Sequence, residues 1–230
     1  MSSPIARERK SGADRALIHT HQRLSHGHRI DILAATFART IGELAAGSQA
    51  PVRVLDVGCG DMTLADAVAQ RLGQVELRCV DIHPCPPELL QSDPRWQRYT
   101  TFDGRHLPFE DQSFDVVMFS DVLHHVPPAL RSDLMRSAGR VGRHVVVKDH
   151  FEYGWWSRQA LRAMDWVGNA GYGVSIPERY FDQATWQQQC HDAGLRVQRL
   201  DVGLALYEHI PLLQPLLSRN WQFMAVCSRA

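Results

Sequence analysis

The apolar positions of this chain change rhythm repeatedly, and those changes predict its elements. Val52, Val54, Leu55 and Val57 form a short apolar run closed by Gly58 and Gly60, which reads as a buried strand ending in a turn. Residues 63–70 then resume helical spacing. The pairing returns further on. Residues 75–80 read as a second strand ending at Asp81, 98–102 as a third, 115–119 as a strongly apolar fourth, and 145–147 as a fifth that ends at Lys148 and Asp149. A helix over 128–138 separates the fourth from the fifth. A helix over 182–193 stopped by Gly194, a strand over 195–202 and a closing strand over 221–227 follow. Upstream, Leu17, Leu24, Ile30, Leu33, Ala34, Phe37, Ile41 and Leu44 lie at helical spacing, and Gly27 predicts a break that divides residues 16–44 into two helices. Residues 1–15 are polar and expected to be loose. Strands alternating with helices predict an α/β domain.

Composition narrows the partners. A chain of 230 residues with 44% hydrophobic content can bury a large core as one domain. Twenty-five basic residues balance twenty-five acidic ones, so no electrostatic footprint for nucleic acid or an anionic membrane is present. The N-terminal residues lack the apolar run of a signal peptide and no later stretch is long and apolar enough to span a bilayer, so a cytoplasmic protein is expected. Cys59, Cys79, Cys85, Cys190 and Cys227 are an odd, scattered set without C-x-x-C spacing and read as reduced thiols. His19, His21, His26 and His28 cluster near the start, but i, i+2 spacing does not set two imidazoles on one helix face. No metal site is expected.

The chemistry begins at the first turn. Gly58 and Gly60 let the backbone bend with positive φ and come close to a flat or charged ligand, while Asp56 supplies an acceptor at the strand's carboxyl end. Asp81 closes the second strand about twenty residues beyond the turn, where such folds place a carboxylate for ribose hydroxyls. A nicotinamide dinucleotide would want a third small residue in the turn, and Gly58-Cys59-Gly60-Asp61-Met62-Thr63 offers none.

Taken together, VLDVGCGDMTLA, VDIHP, FDGRHLPFEDQSFDVVMFSDVLHHV and VVVKDHF resemble the class I S-adenosylmethionine-dependent methyltransferases, in particular the small-molecule "type 11" group, across roughly residues 52–151. The resemblance implies a seven-stranded, mostly parallel Rossmann-like sheet with an antiparallel last strand and helices on both faces. It implies that Asp56, Gly58 and Gly60, with Cys59 between them, pass beneath the methionine part of the cofactor. By the same likeness Asp81, followed by Ile82, takes the ribose hydroxyls, Asp103 and Gly104 frame the adenine, and Ser120 and Asp121 lie near the amino-acid portion. One departure stands out: Met62 occupies a position where the family often has a third glycine.

The same likeness divides the chain into a helical segment (1–48), a cofactor-binding core (51–150), an aromatic substrate cap (151–190) and the last two strands (191–230). Enzymes that methylate a base amino group carry an Asn/Asp-Pro-Pro-aromatic motif after the fourth strand, where this chain has Ser120-Asp121-Val122-Leu123. A small, partly apolar acceptor fits the cap better, since aromatic rings among glycines give apolar contact and mobile loops. Tyr153, Trp155, Trp156 and Tyr172 are the candidate substrate contacts, set beside the plainer reading that most rings of the cap fill core. Methyl transfer is an in-line displacement, so positioning is the main task, and a hydroxyl acceptor also needs a base. His125, His124 and His150 are the candidates for that role. The other readings are a non-catalytic module that keeps the fold and a methyltransferase acting on protein or RNA. Acceptor identity and oligomeric state stay open.

Overall fold

The computed structural model describes residues 12–85, 92–168, 176–207 and 218–230, with side chains from residue 27 onward and none at 167–168. The expectations for residues 1–11, for Tyr172, and for the side chains of His19, His21 and His26 lie outside the described residues.

Seven strands form one sheet in the order β3-β2-β1-β4-β5-β7-β6. β1 (Val52–Val57), β2 (Val75–Asp81), β3 (Tyr99–Thr101), β4 (Phe114–Ser120) and β5 (Gly142–His150) pair in parallel. β7 (Gln222–Arg229) runs antiparallel to both β5 and β6 (Leu195–Val202). The chain leaves β1 toward β2 and β3 on one side and returns to β4 on the other. The carboxyl ends of β1 and β4 therefore flank the point where strand order reverses, the usual place for a ligand in such sheets.

The strands bury both faces, which is why they read as continuous apolar runs. Val54, Val116, Met118 and Val146 pack with Ala34, Phe37 and Ile41 of α1 (Gly12–Leu44) and Ala65 and Val68 of α2 (Thr63–Leu72). On the opposite face Leu55, Val57, Val117, Phe119 and Val145 meet Leu134, Met135 and Ala138 of α3 (Pro128–Val141). Trp186 and Cys190 of α5 (Gln183–Asp192) join that layer. α4 (Trp155–Gly168) stands between β5 and α5 in the chain.

The expected break at Gly27 is corrected: α1 runs unbroken from Gly12 to Leu44. A glycine inside a helix costs about 1 kcal/mol. Burial of Leu33, Ala34, Phe37 and Ile41, about two to four turns further on, exceeds that several-fold. β5 also continues through Lys148, Asp149 and His150, which register with Met224, Phe223 and Gln222 of β7. The described rings of the cap divide evenly: Phe151, Tyr180, Phe181 and Trp186 are buried, whereas Tyr153, Trp155, Trp156 and Trp166 are exposed. Phe151, Phe181 and Trp186 are fully buried around Phe223, with Phe151 stacked on it at 4.0 Å between centroids.

Candidate active site

The glycine turn is anchored by backbone before any ligand arrives. Gly58 and Cys59 both donate to the Val80 carbonyl, at 2.8 and 3.2 Å, and Gly60 N–H donates to Asp81 Oδ2 at 3.0 Å. Gly58 has φ +75, and a Cβ there would lie 2.6 Å from Val122 Cγ2, so a side chain is excluded twice over, by conformation and by contact. Gly60, at φ +52, has nothing within 4 Å of where its Cβ would stand, which leaves its backbone open to a ligand.

Met62 takes the conformation that its glycine counterpart would adopt freely. It caps α2 in the left-handed region at φ 62 and ψ 9, while its side chain is wholly buried among Ala65, Val68 and Trp96. A non-glycine residue in that region costs on the order of 1–3 kcal/mol, an amount the buried thioether offsets.

Further along the edge, Asp81 Oδ1 accepts from His83 N–H at 3.1 Å, and exposed Ile82 packs its Cγ2 3.1 Å from the position a Cβ on Gly104 would take. Asp103 accepts from the backbone N–H groups of Arg105 and His106, at 2.8 and 2.6 Å. The His106 and Arg105 N–H groups hold its carboxyl down to about 2. Asp56 lies beneath the turn, buried. Burial, with Asp81 nearby, lifts its carboxyl to about 7. A glycine backbone open to ligand, a carboxylate fixed at the end of β2 and an apolar Ile82 beside Gly104 make a cradle that fits a nucleoside carrying an amino-acid tail.

The second half of the site lies behind Val122. Asp121 sits in the left-handed region at φ +57, a conformation uncommon for a carboxylate residue and recurrent at functional sites. It pairs with Arg29 of α1 and with fully buried Lys148 of β5, and its Oδ1 is 3.4 Å from His150 Nδ1. Burial alone would raise its carboxyl, but Lys148, His150 and Arg29 hold it well below the usual range.

The three candidate histidines occupy different surroundings. His124 is fully buried, its Nδ1 2.6 Å from Asp149 Oδ1 and its Nε2 3.4 Å from Asp165 Oδ2. Burial would lower its pKa, yet Asp149 and Asp165 outweigh it and lift the imidazole to about 10. His150 is buried too, and burial together with Lys148 pushes its pKa down. His125 is half-buried, its ring 4.0 Å from that of His124 between centroids. Tyr180 donates to Asp165, and burial followed by that carboxylate pushes the phenol up.

Of the candidate substrate contacts, Tyr153, Trp155 and Trp156 are 52%, 67% and 56% exposed at the start of α4. Arg29, Lys148, Asp149, Asp165 and Tyr180 were not marked as site residues by sequence. Lys148 and Asp149 carry a signal in hindsight, as charged residues closing a Val-Val-Val strand. Arg29 and Asp165 carry none, being single charges in amphipathic helices.

Residues 54–144 match the sequence model of a methyltransferase domain. The match covers about two-fifths of the chain and takes in the glycine turn, Asp81, Asp103 and the segment after β4. Solved structures share the fold. A Haloferax volcanii methyltransferase in complex with the Trm112 methyltransferase activator has a TM-score of 0.59 at 16% identity, over 95% of this chain and 94% of that one. A SAM-dependent methyltransferase from Aquifex aeolicus has a TM-score of 0.57 at 13% identity, over 91% and 97%. The mitomycin 7-O-methyltransferase MmcR has a TM-score of 0.56 at 17% identity, over 85% of this chain and 54% of that one. No curated protein matches the chain by sequence. No helix among the described residues is long and apolar enough to cross a membrane.

Proposed function

We propose that this protein is an S-adenosylmethionine-dependent methyltransferase that acts on a small, partly apolar metabolite held at the carboxyl ends of β4 and β5. One observation carries the reading. Val122 packs against Gly58 so closely that no Cβ would fit between them. The segment after β4 thereby lies directly against the glycine turn. In this reading acceptor-side groups and cofactor cradle adjoin there.

S-adenosylmethionine supplies a methyl on a sulfonium that leaves as a neutral thioether, and the protein's part is alignment. Oriented binding of that kind supplies up to roughly 7–11 kcal/mol of a barrier. In the proposed arrangement Gly58, Cys59 and Gly60 carry the methionine portion, with Ser120 and Asp121 near its amino-acid end. Asp81 and Ile82 hold the ribose, and Asp103 with Gly104 frames the adenine. His124 and His150 are buried and face carboxylates, which leaves half-buried His125 as the histidine that meets the acceptor. The exposed rings of Tyr153, Trp155 and Trp156 offer apolar surface, and no excess of positive charge is present to draw a nucleic acid. A mitomycin-methylating enzyme on the same fold is consistent with a small acceptor.

The Haloferax volcanii neighbour, seen with its Trm112 methyltransferase activator, favours a second reading in which a partner protein is needed. One experiment tests the proposed acceptor class. Purified protein is incubated with methyl-labelled S-adenosylmethionine and a size-fractionated cell extract. Label in the small-molecule fraction supports the proposal, whereas label only in protein or RNA overturns it.

A further inference from the structure

We propose that His124, His125 and Asp165 form a binding site for a divalent transition cation of the zinc class. One ligand atom from each of these residues lies within 4.8 Å of the other two. His124 Nε2 is buried without a hydrogen-bond partner. It stands 3.4 Å from Asp165 Oδ2, too long for a good hydrogen bond. That spacing is what two ligands about 2.1 Å from a tetrahedral zinc would show, since the tetrahedral angle separates them by about 3.4 Å.

The surroundings are also those of a metal ligand. His124 Nδ1 is held by Asp149 Oδ1 at 2.6 Å, which fixes the ring and turns Nε2 toward Asp165. A ligating histidine characteristically gives its second nitrogen to a carboxylate in this way. Tyr180 steadies Asp165 through its hydroxyl. Asp149 and Asp165 face the imidazole from its two sides, and a cation bound at Nε2 takes the place of the ring's second proton between them. A second grouping, His124 with Asp149 and His150, is fully buried beside Lys148 and has its Nδ1 already committed to Asp149, so the first is the better site.

Two histidines and one carboxylate leave a coordination position open. An acceptor hydroxyl in that position becomes more acidic, because the cation stabilises the oxygen anion left behind. The site stands on its own geometry and does not depend on which acceptor is methylated.

The test is titration of the full-length protein with Co²⁺, read as visible ligand-field absorption, followed by displacement with Zn²⁺. Circular dichroism checks that each variant is folded. The expected result is one Co²⁺ per chain with intense four-coordinate bands. Affinity should fall at least tenfold in His125→Ala and in Asp165→Asn, and by 10- to 100-fold in Asp149→Asn, the usual loss when a ligand's supporting carboxylate is removed. His19, His21, His26 and His28 are the other histidine cluster, so a variant with all four changed to Ala should bind as wild type does. Absence of the bands, equal binding by His125→Ala and Asp165→Asn, or loss of binding in the fourfold variant would each overturn the site.

Discussion

His124 and Asp149 meet at 2.6 Å with both side chains fully buried, tying the segment after β4 to the end of β5. Removing one member leaves the other charged and desolvated. Asp149→Ala should therefore cost about 3–5 kcal/mol in urea unfolding, while changing both residues together should cost clearly less than the sum of the two single changes. Strict additivity would show that the pair is not coupled.

Gly58 and Val122 give a second prediction. Gly58→Ala places a Cβ 2.6 Å from Val122 Cγ2 at a φ of +75, so it should destabilise the fold and weaken cofactor binding. Val122→Ala in the same chain removes the collision but not the backbone strain. The double variant should recover part of the loss, with a residue of on the order of 1–2 kcal/mol. Full recovery in thermal melts would mean that the strained turn matters little.

Asp56 sets a pH dependence whose sign is opposite to the common carboxylate case. Its pKa is raised to about 7 by burial and Asp81, above an unfolded value of about 3.9, so the folded state prefers the protonated acid. The stability it contributes is complete below about pH 4 and is lost as pH rises toward 7, by ~4 kcal/mol in total. Urea melts at pH 5 and pH 8 should show wild type losing more stability across that interval than Asp56→Asn. Equal losses would place the titration elsewhere.

His125→Ala should slow turnover by 10²-fold or more while leaving affinity for S-adenosylhomocysteine within about twofold, the pattern of a group that serves the acceptor and not the cofactor. Unchanged turnover would remove His125 from the site.

Much of this was legible in the sequence because its signals were local. Residues 195–202 read as a strand and form Leu195–Val202, bounded by Gly194 at φ +68. Asp182 caps α5 with a reciprocal bond to Thr185, as a polar residue before a helix should. Gly27 misled because its helix-breaking tendency is smaller than the packing of the turns after it. β5 was read too short, since charged residues at 148–150 look like loop until the ion pairs that bury them are seen. The acceptor-side cluster was legible only at His124, His125, His150 and Asp121. Asp165 reaches His124 from forty-one residues away in sequence, and no spacing rule connects a helix acid to that partner.

The most direct measurement is calorimetric titration of S-adenosylhomocysteine into wild-type protein and Asp81→Ala. One molecule should bind per chain, and the substitution should weaken binding by roughly 1.5–3 kcal/mol, about 10- to 150-fold, as loss of hydrogen bonds to a charged group does. Absence of binding, or the same affinity in both proteins, would contradict the assignment of the crevice between Gly58 and Asp81 to the nucleoside.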